Sequence, residues 1–116
     1  MLISEAKSVG IFKVRVKVGE FFSLPSEAIT VTFREPTFSE VQEYMIGTEQ
    51  EKLDKLKLLM PKCIVASDFE SEPGKPATAE QVLDILLQSA MLYAHAAQTW
   101  QEALPLEKRR AGNSGN

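Results

Sequence analysis

From Thr78 to Leu104 the chain carries an amphipathic run that is apolar around far more than one face. Val82, Ile85, Leu86, Ser89, Tyr93, Ala96 and Trp100 share one side at helical spacing. Leu83, Leu87, Ala90, Met91, Ala94, Ala97 and Leu104 occupy much of the rest, and Gln88, His95 and Gln98 are nearly the only polar residues in the middle. Thr78 followed three residues later by Gln81 is a capping box, in which side chains and backbone N–H groups satisfy each other reciprocally. The run therefore reads as one long helix, ended by Pro105. A helix apolar over most of its circumference is buried centrally or shared with another subunit. With 116 residues there is material for a single core. What precedes the run looks too small to cover all of it, so the surplus predicts an oligomer or partner surface.

The first part alternates with a period of two. Between Gly10 and Gly19, Phe12, Val14, Val16 and Val18 point one way while Lys13, Arg15 and Lys17 point the other. Ala28 to Arg34 repeats the pattern, with Ile29, Val31 and Phe33 against Thr30, Thr32 and Arg34. Both read as half-buried strands and together as an antiparallel hairpin. Two strands alone are marginal in water, so their apolar faces must lie on helices or on another chain.

Pro36-Thr37 breaks the second strand, and Thr37 with Glu40 makes another capping box. Phe38, Val41 and Met45 give the short helix that follows its stripe, and Gly47 stops it. Thr48 caps a further helix, whose positive N-terminus Glu49 and Glu51 favour. Along it Leu53, Leu56 and Met60 recur with Leu59 beside them, Glu51 and Lys55 form an i,i+4 pair, and Pro61 ends or kinks it. Cys63 to Ala66 fits either a last helical turn or a short strand. Asp68 to Ala77 holds Pro73, Gly74, Lys75 and Pro76 and reads as an exposed loop. The expected architecture is α+β: an N-terminal antiparallel β-hairpin packed on a mainly helical domain with one long C-terminal helix. The domain spans residues 1–106, and 107–116, polar and without periodicity, reads as a disordered tail.

Composition excludes more than it selects. A formal charge of −3 offers no bulk attraction to nucleic acid or to an anionic membrane. No apolar stretch approaches the roughly 20 residues that cross a bilayer, and the start, Met1-Leu-Ile-Ser-Glu, lacks signal-peptide character. One cysteine cannot form an internal disulfide, which suits a reducing cytosol. Cys63 and His95 give two N/S ligands without a metal-binding spacing. Asp68, Glu70 and Glu72 lack the glycine and terminal glutamate of a calcium loop, and Gly74-Lys75 lacks the preceding glycine of a phosphate loop. No catalytic residue, cofactor site or metal site is expected. Lys13, Arg15 and Lys17 have no aromatics interleaved on their face, so they read as solvated charges that keep a strand edge from aggregating.

A strand ending in Phe33-Arg34-Glu35-Pro36-Thr37, followed by a helix opening Phe38-Ser39-Glu40-Val41, resembles the opening of tailed-phage tail assembly chaperones. The resemblance covers about Thr30 to Tyr44 in wording and the rest in size and helix order. It implies a non-enzymatic protein of the host cytoplasm that binds the tape measure protein, hides its apolar helices and helps recruit tail tube subunits. Such a protein needs adaptable apolar surface, to which methionine and large aromatics are suited. Leu83, Leu87, Met91, Tyr93 and Trp100 are the expected shared or client-facing residues, and a homo-oligomer is expected when no client is bound. A structural tail connector or completion protein is the alternative, separable by looking for the chain in purified virions. A nucleic-acid-binding regulator is a third class, against which the net charge argues.

Overall fold

The computed structural model describes residues 12–104. Both alternating segments form strands, β1 (Lys13–Lys17) and β2 (Thr30–Arg34), antiparallel in the register Lys13↔Arg34 to Lys17↔Thr30. Val14, Val16, Val31 and Phe33 are buried on the inner face, while Lys13, Arg15 and Lys17 are exposed on the outer one. A third strand, β3 (Ile64–Ser67), pairs antiparallel with the other side of β2. The sheet is thus three-stranded, β1-β2-β3, where the sequence pattern predicted two strands. Asp68 fixes the added strand: its carboxylate accepts from both the backbone N–H and the hydroxyl of Thr30, at 2.8 and 2.9 Å.

The helices begin where the caps predict. α1 (Phe38–Tyr44) opens on the Thr37/Glu40 box, and α2 (Glu49–Cys63) opens on Thr48, with Glu51 completing a box there too. α2 buries Leu56, Leu59, Met60 and Cys63, an i, i+3, i+4, i+7 stripe. Leu53 is instead exposed, and the stripe continues one turn beyond Met60. Pro61 does not end this helix: it lies inside it, two residues before its last. Having no N–H, it leaves the Lys57 carbonyl one turn earlier without its i+4 donor. Asp68 to Ala77 is a small hairpin rather than a loop, β4 (Glu70–Glu72) against β5 (Lys75–Pro76). Gly74 turns it at a φ of 82°.

The C-terminal run is helical but not one helix. α3 (Ala79–Leu86) and α4 (Ala90–Ala103) are separated at Leu87–Ser89. Ser89 is extended, at φ −136° and ψ 126°, and its hydroxyl accepts from the Leu92 N–H at 3.3 Å. Serine competes with the backbone for hydrogen bonds in this way, which is why it caps helices better than it continues them. The break reorients the chain, so α3 buries Val82 and Leu86 while α4 buries Leu92, Ala96, Ala97 and Trp100. Much of the apparent excess of apolar surface is two helices presenting different faces to one core. The fold is α+β, with the sheet's inner face against α2, α3 and α4. Residues 105–116, including the expected tail, lie outside the described residues.

Candidate apolar docking surface

A tight connection between β1 and β2 positions the exposed aromatics. Gly19 opens a single 3₁₀ turn (Gly19–Phe22), and a Cβ there would stand 1.9 Å from the Pro25 carbonyl oxygen. Only glycine lets the two ends of this connection approach so closely. Ser23, in the left-handed region at φ 60°, closes the turn, and the Ser26 hydroxyl donates to the Glu20 carboxylate at 2.6 Å. The result is a short, pinned loop that holds Phe21, Phe22 and Leu24 outward, all more than a third exposed.

Phe21 rests against His95 of α4, ring centroids 5.3 Å apart, and Phe22 meets Phe69 edge-on at 5.5 Å. The His95 Nε2–H donates to the Lys17 carbonyl at 2.9 Å, since a carbonyl can only accept. This bond ties α4 to the end of β1. Met91 lies one helical turn before His95, on the same side of α4, and is 75% exposed. Leu87, in the break just before α4, is 42% exposed. Phe21, His95 and Met91 therefore stand together where the β1–β2 connection meets α4, with Phe22 exposed beside Phe21 in the chain and Leu87 exposed in the break before α4; we call these residues the ridge. Large apolar side chains standing together in water point to a contact surface, and a methionine amid aromatics accommodates varied partners.

Of the five residues expected to face a partner, Leu87 and Met91 are exposed. Leu83 and Tyr93 are half-buried and pack against the core. Trp100 must be withdrawn, because none of its surface is accessible. Its ring stacks on Phe33 at 5.1 Å, and its indole N–H donates to the Arg34 carbonyl at 3.0 Å. A tryptophan on a mostly apolar helix fits a core or an interface equally from spacing alone, and the neighbouring strand decides. Phe21, Phe22 and Leu24 escaped the sequence reading because they sit in a connection. Three large apolar residues within four positions of a loop, between Gly19 and Pro25, were the available signal.

Cys63 is fully buried, and burial pushes its thiol up to about 11. Such a thiol is a poor nucleophile at neutral pH. Burial also raises the Tyr93 hydroxyl, whose oxygen finds no hydrogen-bond partner among the described residues. No group of three metal-ligating side chains gathers among the described residues, and no helix there is long and apolar enough to cross a membrane. The chain matches no protein-family model, no curated protein and no solved structure.

Proposed function

We propose that the chain is a non-enzymatic assembly chaperone of the tailed-phage tail type, which shields apolar helices of a tape measure protein and delivers them to tail tube assembly. The observation that carries this reading is the exposure of the large apolar side chains Phe21, Phe22, Leu87 and Met91, of which Phe21 packs on His95 one helical turn from Met91. The resemblance of the Phe33-to-Val41 wording implies a tape measure protein as client, and the exposed apolar side chains offer a means of holding it. An amphipathic helix lying along the ridge would bury its own apolar stripe against methionine, leucine and two phenylalanines, the helix-against-groove mode of recognition. No chemistry is required of such a surface.

Co-expression with the tape measure protein of a tailed phage tests the reading. The native chain should raise the soluble fraction of that client. The exposed-site variant Met91→Asp combined with Phe21→Asp should fold with an unchanged circular dichroism spectrum and lose the effect. A client equally insoluble with and without the native chain, or equally soluble with the variant, would sink the proposal.

A further inference from the structure

Among the described residues, the edge of β1 away from β2 pairs with no strand. Hydrogen bonds from the Val18 N–H to the Ile29 carbonyl and from the Glu35 N–H to the Phe12 carbonyl fix the phase of the β1–β2 ladder. In an antiparallel pair bonded residues alternate with non-bonded ones, so Val14 and Val16 exchange their backbone bonds with β2. The N–H and C=O groups of Lys13 and Arg15 consequently point away from β2, and among the described residues nothing takes them. His95 occupies the carbonyl of Lys17 and ends the open stretch there.

The side chains on the outer face of this strand discriminate between occupants. Lys13 and Arg15 are exposed and make no ion pair among the described residues, while Lys17 reaches Glu27 at 3.6 Å. A second copy pairing β1 with β1 antiparallel would set these basic side chains directly against one another, and like charges opposite each other on a sheet are destabilising. An incoming strand with carboxylates at alternate positions would meet them with opposite charge. A nucleic-acid backbone would find two cations without ion-pair partners among the described residues but no use for the open backbone groups. We infer that the free edge of β1 accepts an extended acidic segment of a partner protein, which joins the sheet as a fourth strand beside Lys13 and Arg15. This inference rests on the strand edge alone and is independent of the helix-binding ridge.

The test is an amide-exchange and chemical-shift titration of the ¹⁵N-labelled full chain with the acetylated, amidated peptide Thr-Glu-Val-Glu-Val-Glu-Thr. Peptide at millimolar concentration should slow exchange of the Lys13 and Arg15 amides by about tenfold or more, since newly bonded edge amides become protected. The Val14 and Val16 amides, already in the ladder, should be unaffected. The same peptide with lysine in place of glutamate should have no effect. Arg15→Glu changes an exposed position, so the fold should persist while the preference moves from the glutamate peptide to the lysine peptide. Four results overturn the inference: Lys13 and Arg15 amides already protected in the free protein, no response to the acidic peptide, an equal response to both peptides, or a response to a DNA oligonucleotide instead. Formation of dimers that lose the Lys13 and Arg15 signals would identify a second copy as the occupant and overturn it as well.

Discussion

Ser89→Ala separates a broken C-terminal run from a continuous one by the sign of its effect. In the structure Ser89 is extended and its hydroxyl accepts the Leu92 N–H at 3.3 Å, while its own carbonyl takes the first α4 bond, from Tyr93 at 2.9 Å. Removing a serine cap costs about 1 kcal/mol. Leu92 is only 3% exposed, so water cannot readily replace the lost acceptor. Alanine would recover about 0.5 kcal/mol of helix propensity only if position 89 became helical. That would swing α4 and pull Leu92, Ala96 and Trp100 from the core, so the recovery is not accessible. The net loss of about 1 kcal/mol should lower Tm by about 4 °C in a domain of this size. Ser89→Asp keeps an acceptor and adds a negative charge at the positive helix end, so it should stay within about 0.5 kcal/mol of the native chain. Thermal and urea unfolding followed by circular dichroism measures both. An alanine variant more stable than the native chain, with the aspartate variant the weaker of the two, would show that the run is one helix and refute the argument.

The acid side of the stability curve should depend on Glu40. The Arg34 guanidinium holds its carboxyl down at about 2 from an ordinary 4.5, helped by the Thr37 N–H. A depressed folded value means the contribution is complete above pH 4.5 and lost as pH falls toward 2. Allowing for its partial exposure, it amounts to about 2 kcal/mol, and Glu40→Gln should remove that part of the acid sensitivity. Identical stability profiles for the two proteins between pH 2 and 5 would refute the link. Trp100, the single tryptophan, should emit at a blue-shifted wavelength and resist iodide quenching, and Trp100→Phe should cost about 2 kcal/mol by orphaning the Arg34 carbonyl. Ready quenching in the native state would contradict its burial. Cys63 should react with a disulfide reagent only as the chain unfolds in urea, so immediate reaction in buffer would contradict its placement.

The sequence exposes features whose cause is local. Three threonine caps, the alternation in β1 and β2 and the buried face of α2 are legible because a period or a cap needs only neighbours along the chain. β3 was ambiguous because Ile64-Val65-Ala66-Ser67 is too short to show a period, and its pairing depends on Asp68 reaching Thr30, 38 residues away in sequence. The break at Ser89 was hidden by apolar residues on either side, which make the stripe look continuous. For the ridge, Met91 and Leu87 were legible as apolar positions in excess of one face. Trp100 was misplaced because exposure depends on which face meets Phe33, and that is a tertiary fact.

The phrase from Phe33 to Thr37 and the helix start after it encode a joint between four elements. Arg34 forks onto Glu40 at 2.7 and 2.9 Å, and also donates to the Lys62 carbonyl at the C-terminal end of α2 at 2.9 Å. Its own carbonyl receives the Trp100 indole of α4. The Glu35 backbone N–H donates to the Phe12 carbonyl at 2.8 Å, and the Glu35 carboxylate accepts the Phe12 N–H at 3.1 Å. Pro36 cannot extend the ladder, and Thr37 opens α1. Each residue of the phrase thus has a folding role, and bidentate arginine pairs of this kind depend on geometry that lysine cannot reproduce. A chain sharing the phrase is expected to share this strand-to-helix joint. The two proposed binding surfaces draw on other side chains: Phe21, Phe22, Leu87 and Met91 for the helix-binding surface, and Lys13 and Arg15 for the strand edge. Changes at Arg34 or Glu40 therefore bear on whether the molecule folds, and changes on those two surfaces bear on the proposed binding.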